Sequence, residues 1–292
     1  MGSVWAASPL PRGLGQGRVG VEAPREGRAA AVMSTPRTVR ADAVVVRRLD
    51  YGEADRLITL YTAQQGKVRA IAKGVRRITS RMAGHLDLLT YSTMLLVHGR
   101  NLEIITQCQT VEGFSGLRGD LWRTTYACYC AELVDRFTED NQPNLGLFRL
   151  LVRALHDLST LPQESLEAAV RAFELGLLSL VGYRPELRHC LGCREPILPR
   201  PNFFSAEAGG VFCPACGAGA ARAGRISVDA LKLLRNLQTK PESVVGRVRL
   251  PADVLDEAKT VLDGYIHRLL ERQPKAAGFI DNMARTGPAN ER

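Results

Sequence analysis

The chain has 292 residues, 45% hydrophobic and 24% charged, with a formal net charge of +9. That length carries two or three domains with cores of their own, and no apolar run approaches the roughly 20 residues of a membrane helix. The basic excess is uneven: residues 34–113 hold 12 Lys/Arg against 7 Asp/Glu, whereas 114–189 hold 8 against 10. A polyanion is the partner this distribution predicts, nucleic acid ahead of a membrane surface.

Residues 1–33 are rich in Gly, Pro, Ala and Arg without sustained periodicity, which reads as a disordered extension. Met33-Ser-Thr-Pro-Arg37 then opens a well-patterned segment, so Met33 reads as the true start of translation. From Val39 to Phe114 the pattern is that of strands: Ala43–Val46, Leu57–Tyr61, Val68–Ala72, Leu88–Val97 and Leu102–Val111. Turns at Asp50–Glu53, Gln65–Gly66 and His98–Asn101 separate them, as antiparallel hairpins require. Five short strands with a longer break after the third predict a small closed barrel of oligonucleotide-binding type.

After Gly116 the apolar period lengthens to three and four. Leu121, Tyr126, Tyr129, Leu133 and Phe137 share one helical face. Pro143 opens a second helix, and a third runs from about Gln163 to Val181, with Gly182 as its stop. Beyond residue 222, Ser227 reads as an N-cap for a helix over Ala230–Leu237. Pro251 introduces a last helix reaching Arg272.

Between the third and fourth helices stand Cys190-Leu-Gly-Cys193 and, nineteen residues on, Cys213-Pro-Ala-Cys216. Two such knuckles, with a hairpin between them to return the second, have the spacing of a tetrahedral thiolate zinc site. Gly192 and Gly217 would supply the conformational freedom of the turns. Two disulfides or four buried thiols are the alternatives. A four-thiolate site has no open position for water or substrate, so it argues for architecture rather than metal catalysis. His189 adjoins Cys190 and is a candidate substitute or supporting partner. The odd total of seven cysteines, without a secretory signal, suits a reducing compartment. Cys128 and Cys130, two apart on a helix, point in opposing directions and read as packing.

No acidic residue lies between Asp55 and Asp87, while Arg56, Lys67, Arg69, Lys73, Arg76, Arg77 and Arg81 do. Lys67, Arg69 and Lys73 alternate with Val68, Ala70 and Ala72, so these charges would leave one face of a strand. Cations that meet phosphates displace counterions and give sequence-independent, salt-dependent affinity. Tyr51, Tyr61 and Tyr91 are the nearby aromatics, each as suited to a core as to base stacking. Backbone tracking should therefore outweigh base readout. There is no Gly-x-x-x-x-Gly-Lys-Ser/Thr loop, no His-Glu-x-x-His, and no paired carboxylate cluster. No nucleophile, base and orienting group assemble in the sequence, and the chain reads as a non-enzyme.

In Asp50-Tyr-Gly-Glu-Ala-Asp-Arg-Leu57, Gly66-Lys-Val-Arg-Ala-Ile-Ala-Lys-Gly-Val-Arg-Arg77, Ala83-Gly-His-Leu86, Ala131-Glu-Leu-Val-Asp135 and Phe173–Tyr183, with Pro185, the four cysteines and Leu231–Arg235, the chain resembles the bacterial RecO recombination-mediator family. The resemblance covers roughly residues 38–280. It implies an α+β architecture: a five-stranded oligonucleotide-binding barrel over 34–114, a helical domain over 115–189 and 223–280, and a four-cysteine zinc module inserted at 190–222. Residues 281–292 would be a flexible tail. The family likeness further implies a cytoplasmic, nucleoid-associated protein that binds single- and double-stranded DNA and anneals complementary strands. With RecR, contacted largely through the barrel, it would help load RecA onto DNA coated by single-strand-binding protein, whose tail would meet the helical domain. Lys73 and Arg77 fall on the family's basic barrel surface. The extra stretch ahead of the first strand departs from the family pattern. A transcriptional zinc-ribbon adaptor and a nuclease are the competing readings.

Overall fold

The computed structural model describes residues 38–286 apart from 221 and 272–273; the expectations about residues 1–33 and the Met33 start lie outside them. Strands β1 (Thr38–Tyr51), β2 (Asp55–Thr62), β3 (Gly66–Ala72), β4 (Tyr91–Val97) and β5 (Glu103–Glu112) close a barrel in the order β1-β2-β3-β5-β4. Its neighbours are antiparallel except β3 and β5, which pair in parallel at Ala70 and Ile71. Period-two alternation fills the interior: Ala41, Ala43, Val45, Ile58, Leu60, Val68, Ala70, Ala72, Met94, Leu96 and Ile105 form one buried cluster. Val75 and Leu86, from the long connection between β3 and β4, add to it.

An irregularity in β1 between Val45 and Arg47 decides what the outside of the barrel meets. Before it, Val44 pairs with Tyr61, and Tyr61 with Lys67; Val44 and Tyr61 belong to the core shared with the helices. After it, Arg47, Leu49 and Tyr51 point away from the barrel and are exposed. A bulge bends a strand and re-aims its side chains, and here it divides a packed half of β1 from a solvated half.

The helices are α1 (Leu121–Phe137), α2 (Leu145–Thr160), α3 (Leu166–Leu180), the single turn α4 (Pro214–Gly217), α5 (Val228–Thr239), α6 (Ala252–Leu270) and α7 (Lys275–Thr286). Three begin with side-chain caps: Asp120 accepts from the Arg123 amide, Asn144 from Leu147 and Ser227 from Ala230, at 3.0, 3.0 and 3.1 Å. The Ser227 cap is as the sequence predicts, and α2 starts one residue after Asn144 rather than at Pro143. Gly182, with φ +88°, ends α3, and the Tyr183 amide returns 2.7 Å to the Leu178 carbonyl, the closing bond of a Schellman turn.

Strands β6 (Asn202–Ser205) and β7 (Gly210–Phe212) form the expected hairpin between the knuckles, and β8 (Ala223–Ile226) adds a third strand on the other side of β6. One apolar core runs through the helices and this module, taking Cys190, Phe204, Val211 and Ile226 together with Leu231, Leu234 and Leu262.

Within the helices Arg171 is buried with Glu174 at 3.0 Å and Asp263 at 3.4 Å, and the Tyr129 hydroxyl donates to Glu174 across 2.7 Å. Burial pushes the Glu174 carboxyl up to about 7, with Arg171 and the Tyr129 hydrogen bond pulling the other way.

The C-terminal end differs from expectation. α6 stops at Leu270, where Glu271 turns left-handed with φ +56°; Arg272 lies outside the described residues. A further helix, α7, then continues through Thr286, so 281–286 are helical rather than a flexible tail. A 12-residue helix is marginal alone. This one is fastened by tertiary contacts: the Glu132 carboxylate accepts from the Lys275 and Ala276 amides, both at 2.9 Å, and Lys259 bridges Asp263 and Asp281. Among the described residues no helix is long and apolar enough to cross a membrane.

Candidate nucleic-acid interface and metal centre

Register places the outward side chains of β1, β2 and β3 in rows. Moving from the helices toward the β1–β2 turn, these are Val44–Tyr61–Lys67, Arg47–Thr59–Arg69 and Leu49–Leu57–Ile71, with Tyr51 paired to Asp55 at the end. The seven predicted cations share this region, and the fold separates them. Lys67 stands in the row that meets the helices and is 8% exposed. Its Nζ donates 2.6 Å to the Asp135 carbonyl, with the carboxylates of Asp135 and Asp140 at 3.5 and 3.8 Å. Its charge is therefore spent inside the molecule and does not leave the strand toward solvent with Arg69. Arg69 is exposed but has Asp140 at 3.2 Å. Arg56 and Arg76 both meet Asp50, at 2.9 and 3.4 Å. The Arg56 hydrogen bond, reinforced by the charges of Arg76, Arg56 and Arg48 against slight desolvation, holds the Asp50 carboxyl below its ordinary range.

Lys73, Arg77 and Arg81 are exposed and have no ion pair among the described residues. They sit on an ordered connection. The Gly74 amide donates to Asp55 across 2.7 Å, the Arg76 amide to the Ala54 carbonyl across 2.9 Å, and the Arg76 guanidinium to the Gly52 carbonyl across 3.0 Å. This ties the loop to the β1–β2 turn. Arg47, exposed and likewise without an ion pair among the described residues, is a fourth cation that sequence reasoning passed over. Only the bulge reveals that it turns outward beside Arg69.

Of the three aromatics, Tyr61 is fully buried against the helices and Tyr91 packs edge-on against Phe148 at 5.7 Å. Tyr51, at the hairpin tip, is 54% exposed and open to a ligand.

The sulfurs of Cys190, Cys193, Cys213 and Cys216 all lie within 4.8 Å of one another, the only such group of potential ligands among the described residues. Cys193 and Cys213 sulfurs are 3.9 Å apart, far beyond a disulfide bond and close to the ~3.8 Å edge that tetrahedral Zn–S bonds of ~2.3 Å would give. The four cysteines could hold a metal ion. Burial disfavours the Cys190 thiolate, but the Cys213, Cys193 and Gly192 amides outweigh it and bring the thiol down to about 6; the Cys213 amide is 3.3 Å from the sulfur. The Cys213 and Cys190 hydrogen bonds push the Cys216 thiol the other way, up to about 12, so the donor geometry rather than thiol acidity supports a metal.

The knuckle glycines serve a different purpose from the one the sequence suggests. Neither Gly192 nor Gly217 has a positive φ; the left-handed residue of the first knuckle is Arg194, at +68°. A Cβ on Gly192 would stand 2.9 Å from Cys216 Cβ and Sγ, and one on Gly217 would collide with the Phe203 ring. Space decides both positions. Phe203 and its register partner Phe212 thereby flank the cysteine cluster with apolar surface. His189 lies 3.8 Å from Glu186 and outside the cluster.

Residues 33–114 match the family model "Recombination protein O N terminal", and residues 118–277 match "Recombination protein O C terminal". The chain is 39% identical over 247 residues to the DNA repair protein RecO of Roseiflexus sp. (strain RS-1), covering 85% of this chain and 86% of that one. It is 34% identical to the DNA repair protein RecO of Dehalococcoides mccartyi (strain ATCC BAA-2266 / KCTC 15142 / 195), covering 87% and 99%. To the protein of that name from Pelotomaculum thermopropionicum it is 38% identical, covering 84% and 94%.

Proposed function

The chain belongs to the RecO family of DNA repair proteins, and on that premise we propose that it is a recombination mediator acting without covalent catalysis. It binds single- and double-stranded DNA through the barrel, anneals complementary strands, and with RecR helps load RecA onto DNA coated by single-strand-binding protein. Its four cysteines hold one structural zinc ion.

The observation that carries the DNA-binding part is the set of Arg47, on β1, with Lys73, Arg77 and Arg81, on the connection after β3. These cations are exposed and not neutralised by neighbouring carboxylates, and the loop that bears three of them is hydrogen-bonded in place. An ordered array of free cations attracts phosphates of any sequence by releasing counterions. Two complementary strands repel one another, and clustered cations lower that repulsion while leaving base edges free to pair. No nucleotide hydrolysis is required. The cysteine donor set supports zinc: four sulfurs at tetrahedral spacing leave no coordination position for a reactant, which makes the ion a clip for the module.

Fluorescence-monitored annealing of complementary strands tests this reading. The strands are coated with the cognate single-strand-binding protein, and annealing is followed with and without RecR. The protein is expected to accelerate annealing with no strand cleavage in magnesium or manganese. No acceleration in either condition would defeat the mediator role, and metal-dependent cleavage would replace it with a nuclease.

A further inference from the structure

The four sulfurs of the cysteine module share one cluster but not one environment. Cys190 is 1% exposed, lies in the core shared with the helices, and its Sγ accepts from the Cys213 amide across 3.3 Å. Cys216 is half-buried, with Gly192 packed so closely over it that a Cβ there would stand 2.9 Å from its Sγ. Cys213, also half-buried, caps the single turn α4. Cys193 is the exposed member, on the turn that the Arg194 amide closes across 2.9 Å onto the Cys190 carbonyl. Its Sγ is 3.9 Å from that of Cys213, so the solvent-facing sulfur has a partner from the other knuckle within reach.

Oxidation of a cysteine follows its ionisation and its exposure, and a bound metal ion holds its cysteines ionised. Outside the cluster, burial pushes the Cys108, Cys128 and Cys130 thiols up and leaves them protonated and inert. Within it, Cys193 is the sulfur that an oxidant in water meets first.

We infer that Cys193 and Cys213 are a peroxide-sensitive pair, which closes to a disulfide and releases the metal from the module. The inference rests on the zinc reading above and adds a regulation to that site. The Cys193 sulfur attacks one oxygen of hydrogen peroxide, the O–O bond breaks, and the other oxygen leaves as water while the sulfur becomes a sulfenic acid. The Cys213 sulfur then displaces the sulfenic hydroxyl as a second water and forms the S–S bond. In sum, two thiolates, one peroxide and two protons give one disulfide and two waters. Closure brings the sulfurs from 3.9 Å to ~2.05 Å, a small shift for an exposed side chain on a turn. Cys190 is the poorer partner, because its sulfur is fixed in the core. The two remaining sulfurs cannot complete a tetrahedral site, so the ion leaves while the knuckles stay joined. The core that the module shares with Leu231, Leu234 and Leu262 then loosens, and thiol reductant with zinc restores it.

The test exposes full-length protein, purified with zinc and freed of excess metal, to hydrogen peroxide. A chromogenic chelator follows zinc release, and peptide mass spectrometry maps the disulfides. Zinc should leave in step with a Cys193–Cys213 disulfide, the urea midpoint should fall, and dithiothreitol with zinc should reverse both. Cys193→His keeps a fourth ligand of a type zinc accepts but removes the exposed sulfur, so it should release zinc about tenfold more slowly. If that variant fails to fold, the wild-type disulfide map decides by itself. Zinc retained with a free Cys193 thiol, or a disulfide confined to Cys190 and Cys193, would overturn the inference and leave the zinc reading standing. Protein that holds no zinc before peroxide is added would overturn both.

Discussion

Lys67 Nζ donates to the main-chain carbonyl of Asp135 across 2.6 Å, joining the first residue pair of β3 to the last turn of α1. That carbonyl is one of the acceptors a helix leaves unpaired at its C-terminus, where the helix dipole also favours a cation. Nearby, the Asn141 amide returns 2.8 Å to the Lys67 carbonyl, and Gly66, with φ +70°, lies so close to Gln142 that a Cβ would collide with its carbonyl. The strand that presents Arg69 and leads to Lys73 is thus held by the helices at its other end.

Lys67→Met should destabilise the protein by about 1–3 kcal/mol, the cost of leaving a buried acceptor and two carboxylates without their cation. Urea unfolding measures it. DNA affinity of the folded variant should stay within about twofold of wild type, because Lys67 does not reach solvent; a large loss of affinity at unchanged stability would return Lys67 to the binding surface.

Lys73→Glu, Arg77→Glu and Arg81→Glu should behave in the opposite way, leaving the unfolding midpoint nearly unchanged while weakening DNA of every sequence. Neutralising all three should reduce the slope of log affinity against log salt for single strands by about 2. Titrations at several salt concentrations provide the slope, and an unchanged slope would take these cations out of contact with phosphate.

Cys190→Ser or Cys213→Ser should abolish stoichiometric zinc in metal analysis and cost more than about 3 kcal/mol of stability, since metal binding to such a site is folding free energy. DNA binding should fall only in proportion to the unfolded fraction, because the free cations of the barrel lie in a separate part of the fold. A variant that folds normally yet loses DNA would contradict this.

Glu174 makes stability depend on pH. Its carboxyl ionises at about 4.5 in the unfolded chain and only at about 7 in the fold, so between those values the folded state holds an extra proton and stability falls as pH rises. Glu174→Gln removes this titration; the wild type should lose stability relative to that variant from pH 5 to pH 7 in thermal unfolding. Glu174→Ala should cost about 3–5 kcal/mol, because it leaves buried Arg171 short of its nearest counter-charge.

The strands, most helices and the knuckle hairpin were legible because each rests on local chemistry. Period-two alternation in β1–β5, the Ser227 cap and the Gly182 stop act over a few residues. α7 was not legible, since its docking depends on Glu132, more than a hundred residues earlier. The interval between Asp55 and Asp87 looked uniformly basic because its compensating acids, Asp50, Asp135 and Asp140, lie outside it.

The sequence by itself determined the composition of both sites: which cations cluster in the first hundred residues, and which four sulfurs have ligand spacing. Tertiary structure decided what each charge does, turning Lys67 into an internal fastening, pairing Arg56 and Arg76 with Asp50, and leaving Lys73, Arg77 and Arg81 to the solvent with Arg47 beside Arg69. It also assembled Leu49, Leu57 and Ile71 into one row. The physical reason is that a side chain's charge and polarity are local properties, whereas its burial and its partners are set by strand register, a bulge and the packing of distant segments.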